Sequence, residues 1–110
     1  MQTINDLEKL NEMKTAGPLL IMFGGKNCGV CQVVKPQLSS LLEEQFPNMQ
    51  AVYVDCHLDS LICAQNSIFT LPVIQVYFEG IKIIEEIKVF SINGLIEKIK
   101  RPYDMWNDNQ

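Results

Sequence analysis

The stretch Leu19-Leu20-Ile21-Met22-Phe23-Gly24-Gly25-Lys26-Asn27-Cys28-Gly29-Val30-Cys31 decides the fold. Its first five residues are apolar without alternation, the pattern of a strand covered on both faces. Gly24-Gly25 then breaks the run. From Gly29 to about Glu44, Val30, Val33, Val34, Leu38, Leu41 and Leu42 follow helical spacing, with Pro36 inside and a kink expected there. A buried strand leading into a helix is the repeating unit of a parallel α/β sheet, and the cysteines fall at the joint.

Outward from this unit the elements keep alternating. Upstream, Asn5 or Asp6 is placed to cap a helix with Leu7, Leu10 and Met13 on one face, ending at Gly17-Pro18. Gln2 to Ile4 is a candidate short edge strand. Downstream, Ala51 to Asp55 reads as a second buried strand and Leu58 to Asn66 as a short helix. Val73 to Phe78 and Ile81 to Val89 are β-rich runs joined at Glu79-Gly80, which predicts a hairpin. Ser91 is placed to cap a last helix through Leu95, Ile96 and Ile99, stopped by Pro102. The expected product is an α/β fold, a mixed sheet of four to five strands with helices on both faces.

The chain has 110 residues, which suits one domain over 1–110 with a tail from 101. A net charge of −4 argues against nucleic acid and against an anionic membrane surface as partners. Met1 to Leu10 lacks the apolar core of a signal peptide, and no apolar run approaches the roughly 20 residues of a membrane span. The expected location is therefore the cytoplasm. Disulfides are rarely structural there, so the four cysteines call for a catalytic, metal-binding or simply buried role.

The Cys28-Gly29-Val30-Cys31 pair carries the clearest chemistry. Cys28 falls at a helix N-terminus, where free N–H groups and the macrodipole favour an anion. Lys26 adds a nearby positive charge. The Cys28 thiol should therefore ionise below the ordinary value of about 8.5. Cys31, one turn on, is placed to close a small disulfide ring. Cys28 is the expected nucleophile on a substrate disulfide and Cys31 the resolving thiol.

With these features in place, the chain resembles the thioredoxin family over about residues 2 to 100. The resemblance rests on Cys-Gly-x-Cys with Pro36 five residues after Cys31, on Val52-Tyr53-Val54-Asp55, and on Thr70-Leu71-Pro72 before a strand and Glu79-Gly80. It implies a thioredoxin fold and an enzyme that exchanges thiols and disulfides; no cofactor and no metal are expected. It further implies a cis Pro72 beside the cysteines, with Leu71, Gly29 and Val30 contacting substrate. Disulfide-containing client proteins are the implied partners, with a dithiol electron donor such as a thioredoxin reductase.

The departures from the family matter as much. Asn27 stands where a tryptophan is usual, and Val30 where proline is usual. The family's buried acid falls at Met22 and its partner lysine at about Ala51, so the usual proton path to the second cysteine is missing. Two other functions remain open on the same scaffold: a partner-binding or assembly module, and a redox relay for one dedicated client.

Cys56 and Cys63 are seven apart. A continuous helix between them would separate their Cα atoms by about 10 Å, beyond bridging distance, so both are expected to stay reduced with Cys63 a small buried apolar residue. A zinc site from Cys28, Cys31, Cys56 and His57 lacks the usual spacing of its second pair. His57 is expected to be solvated. Tyr103, Met105 and Trp106, in the tail, are expected either to pack back on the domain or to be disordered.

Overall fold

The computed structural model describes residues 1–88 and 90–110. In chain order the elements are β1 (Gln2–Thr3), α1 (Leu7–Lys14), β2 (Leu19–Gly24), α2 (Gly29–Gln45), β3 (Gln50–Asp55), α3 (Ser60–Gln65), β4 (Val73–Phe78), β5 (Ile81–Ile87) and α4 (Ile92–Asp108). They form a five-stranded sheet in the order β1-β3-β2-β4-β5. β1, β3 and β2 run parallel, while β4 and β5 are antiparallel to their neighbours. The expected hairpin and the short edge strand are both present.

The β2 run is uninterrupted because both its faces are buried. Leu20 and Met22 face one cluster with Cys31, Leu38 and Leu42 of α2 and Leu95, Ile96 and Ile99 of α4. Leu19, Ile21 and Phe23 face the opposite cluster with Leu10 of α1 and Ile62 and Cys63 of α3. Helices thus cover both sides of the sheet. Full burial of a side chain such as Phe23 or Ile21 stabilises by about 1.5–3 kcal/mol.

The helix starts follow capping chemistry. The Asp6 carboxylate accepts hydrogen bonds from the Glu8 and Lys9 N–H groups, and the Ser91 hydroxyl accepts from Gly94 N–H at 3.1 Å. α2 passes through Pro36 without ending. Two boundaries differ from the sequence reading. α3 begins at Ser60 rather than Leu58, because Leu58 and Asp59 N–H groups bond to the Asp55 carbonyl and hold a turn. β5 ends at Ile87, and Val89, the expected end of that strand, lies outside the described residues.

The larger correction is α4, which continues through Pro102 to Asp108. A proline inside a helix costs about 3 kcal/mol, and tertiary anchoring offsets it here. Tyr103 is buried with its ring centroid 4.9 Å from that of Phe46. Its hydroxyl accepts from Asn48 N–H at 3.0 Å, and the Asn48 side-chain amide donates to Asn107 at 3.0 Å. Residues 101–108 are therefore the packed end of a helix, as one of the two outcomes expected for the tail.

Candidate functional site

Cys28 is the N-cap residue of α2, with extended backbone dihedrals of φ −93° and ψ 104°. Its sulfur accepts from Cys31 N–H at 3.2 Å, so one of the free amides of the first helical turn points at the Cys28 sulfur. The loop before it is tied down by two donors to the Gly25 carbonyl: Cys28 N–H at 3.0 Å and the Gln32 side-chain amide at 3.2 Å. Cys28 and Cys31 form a disulfide with Cα atoms 5.3 Å apart. The two sulfurs are unequal: Cys28 is half-buried, whereas Cys31 is fully enclosed. Lys26, Asn27, Gly29 and Val30 are exposed around Cys28.

The peptide bond between Leu71 and Pro72 is cis. The register pairs Phe23 with Val73, which brings Pro72 alongside Gly24 at the end of β2 that leads to the cysteines. The Pro72 carbonyl is taken by Lys88 N–H at 2.7 Å. Leu71 is half-buried and packs against both core clusters. Gly29, Val30, Leu71 and Pro72 thus lie at one end of the sheet, with the disulfide.

Met22 is fully buried on the α2 side of the sheet, in one cluster with Cys31. Its partner in the β2–β3 register is Tyr53, and Ala51 pairs with Leu20. Asp55, the buried carboxylate among the described residues, lies two positions beyond Tyr53 on β3 and accepts from the His57 and Leu58 N–H groups.

The second cysteine pair corrects an expectation. Cys56 and Cys63 are joined in a disulfide, with Cα atoms 5.7 Å apart. The distance argument against the bridge assumed helix throughout, but only residues from Ser60 onward are helical. The Asp55 carboxylate accepts from His57 and Leu58 N–H groups, which turns the chain back and brings Cys56 over α3. Cys63 is therefore bridged as well as buried. With all four sulfurs in disulfides, the thiolates that a Cys28, Cys31, Cys56 and His57 zinc site needs are not available in this form.

Sequence reasoning also missed how this second bridge touches the first. Cys56 N–H donates to the Gly24 carbonyl at 2.8 Å. The His57 ring lies on Gly25, and its Nδ1 accepts from Asn27 N–H at 3.3 Å. His57 is exposed, as expected, yet it braces the loop that holds Cys28. Only the adjacency of Cys56 and His57 in sequence hinted at this.

The Thioredoxin family model matches residues 4–101. The chain belongs to the thioredoxin family. It is 30% identical over 86 residues to a thioredoxin-like protein, YdfQ, of Bacillus subtilis, covering 78% of this chain and 76% of that protein. It is 31% identical over 102 residues to a thioredoxin of Coprinus comatus, covering 89% and 96% of the two chains. Among solved structures, mitochondrial thioredoxin 3 of Saccharomyces cerevisiae in its oxidized form superposes with a TM-score of 0.80 at 21% identity, covering 91% and 93%. Thioredoxin O2 of Arabidopsis thaliana in the oxidized state gives 0.78 at 19% identity, covering 93% of each chain. The fold is thus the thioredoxin fold, and the paired cysteines make the chain a thiol–disulfide oxidoreductase. No described helix is long and apolar enough to cross a membrane.

Proposed function

We propose that this thioredoxin acts as a single domain that reduces disulfides in client proteins, with Cys28 as nucleophile and Cys31 as resolving thiol. The inequality of the two sulfurs carries this reading: Cys28 is reachable at the α2 N-terminus, and Cys31 is enclosed behind it. In the dithiol form, the helix N-terminus stabilises a Cys28 thiolate. That thiolate attacks one sulfur of a client disulfide and expels the other as a thiolate. Cys31 loses its proton and attacks the Cys28 sulfur. The client's second thiol leaves, and the Cys28–Cys31 disulfide remains. The client gains two electrons and the pair loses two.

Leu71 and Pro72, with Gly29 and Val30, provide the client contact beside the reacting sulfur. Val30 and Val33 on α2, Leu58 before α3 and Phe69 before Pro72 are exposed apolar side chains flanking this end of the sheet. They suit an apolar client segment in place of the missing tryptophan at Asn27. A reducing cytoplasm, with a dithiol donor such as a thioredoxin reductase, would return the pair to the reduced form.

The test is turnover of insulin disulfides driven by a small dithiol. Wild type should reduce insulin. Cys28→Ser should not, and Cys31→Ser should accumulate a mixed disulfide. Full turnover by Cys28→Ser would refute the assignment and favour an assembly module with incidental cysteines. Slow turnover of insulin by wild type, despite ready mixed-disulfide formation, would favour a relay dedicated to one client.

A further inference from the structure

The Tyr53 hydroxyl is buried and has no hydrogen-bond partner in the disulfide form. Buried hydroxyls are nearly always paired, so an orphan of this kind asks for a function. Its position is specific. Tyr53 stands beside Met22 in the β2–β3 register, on the sheet face that packs under α2. Cys31 enters the same cluster from α2, fully enclosed. The hydroxyl itself lies against Gly24, which begins the loop to Cys28. The Lys35 ammonium sits 4.0 Å from the Tyr53 ring centroid, a cation–π contact that holds the ring in place.

We propose that the Tyr53 hydroxyl is the hydrogen-bond donor held for the Cys31 sulfur once the Cys28–Cys31 disulfide opens. The inference rests on the thiol–disulfide exchange proposed above. A disulfide sulfur is a weak neutral acceptor, whereas a thiolate is an anion, and hydrogen bonds to ionised acceptors are about twice as strong as neutral ones. In the disulfide form the hydroxyl has no acceptor within hydrogen-bond reach; once the disulfide opens, the freed Cys31 sulfur turns toward it and accepts. In the resolving step the Cys31 thiol gives its proton to solvent. Its thiolate, stabilised by the Tyr53 O–H, attacks the Cys28 sulfur, and the bond from Cys28 to the client breaks. The client thiolate leaves and takes up a proton. Tyr53 keeps its proton throughout. Burial, and after it the Asp55 carboxylate, pushes the phenol up from its ordinary value, consistent with a donor that stays protonated.

The charges around this site are few. Lys35 faces Tyr53 from α2, and Asp55 lies on its own strand. β1 (Gln2–Thr3) and β2 (Leu19–Gly24) bring no ionisable side chain, and α4 meets the cluster through Leu95, Ile96, Ile99 and Tyr103. The N-terminal ammonium is bound by Ser39. His57 lies on Gly25, and Lys26 is exposed in the same loop.

Tyr53→Phe tests the proposal, because it deletes an unpaired hydroxyl and keeps the ring. Stopped-flow measurement should show Cys28 attack unchanged. The resolving step should be about tenfold slower near pH 7 and converge on wild type as pH rises, as loss of one hydrogen bond to a charged group predicts. A dithiothreitol redox titration at high pH, where the Cys31 thiolate is populated in the reduced form, should show the Cys28–Cys31 pair more reducing by about 30 mV, which is that tenfold change in equilibrium. The oxidised variant should be at least as stable as wild type. An unchanged potential and an unchanged pH profile would overturn the proposal. So would a loss of stability with attack and resolution slowed alike, which marks a structural role. The titration needs no client protein, so it decides the role of Tyr53 even if insulin reduction fails.

Discussion

The Tyr53 side chain lies so close over Gly24 that a Cβ at position 24 would overlap its hydroxyl and the adjoining ring atoms. Glycine at the end of β2 and tyrosine in the middle of β3 are therefore matched, and the pair sits directly beneath the loop that carries Cys28. Tyr53 is enclosed, so its ring cannot swing aside cheaply.

Gly24→Ala should accordingly destabilise the fold by about 1–3 kcal/mol, the range for forcing an extra methyl group into a packed core. Urea unfolding measures it. In the Tyr53→Ala background the same change should cost much less, and a double-mutant cycle gives the coupling. Additive effects would show that the two positions do not share the space.

The Cys56–Cys63 bridge closes a short loop, and its removal should cost about 2 kcal/mol on chain-entropy grounds. Thermal unfolding of Cys56→Ala/Cys63→Ala under non-reducing conditions should show a lower Tm. Because Cys56 N–H and His57 hold Gly24 and Asn27, the variant should also show faster amide exchange at Asn27. An unchanged Tm would mean that the bridge does not restrain the chain.

Tyr103 anchors the last turns of α4 beyond Pro102. Tyr103→Ala should destabilise by about 3–5 kcal/mol, as other buried aromatic truncations do. Deleting residues 102–110 should cost at least as much. A truncation that leaves stability intact would return these residues to the status of an unstructured tail.

Glu85 gives the fold an acid-side sensitivity. The Gln75 side-chain amide, donating at 2.9 Å, and then Lys82 hold its carboxyl below the ordinary value of 4.5, against a smaller upward push from burial. A lowered folded value means that the stabilisation is complete above 4.5 and is lost as pH falls through the folded value. The drop in unfolding free energy between pH 7 and pH 3 should therefore be smaller in Glu85→Gln than in wild type. Equal drops would show that the Gln75–Glu85 contact does not select the ionised form.

What the sequence conveyed, and what it hid, follows from the range of the interactions involved. The β2 run and the α2 periodicity are local signals, because burial on both faces of Leu19 to Phe23 demands apolar residues at every position. The placement of Cys28 at the helix start follows from the same junction. The Cys56–Cys63 bridge was hidden because its distance depends on a turn made by the Asp55 carboxylate, not on residue spacing. The course of α4 past Pro102 was hidden because its anchors, Phe46 and Asn48, lie more than fifty residues away. Met22 could be recognised as a departure from its family, but the neighbour that matters to it, Tyr53, is set by strand register.

The division of labour between Cys28 and Cys31 is the central claim, and limited alkylation measures it most directly. The reduced protein, with Cys56–Cys63 kept oxidised or replaced by alanine, is exposed briefly to iodoacetamide across pH 5 to 9 and mapped by mass spectrometry. Cys28 should be labelled first, with a midpoint below the ordinary thiol value of about 8.5, while Cys31 stays protected. Labelling of Cys31 before Cys28, or a Cys28 midpoint at or above that ordinary value, would contradict the account.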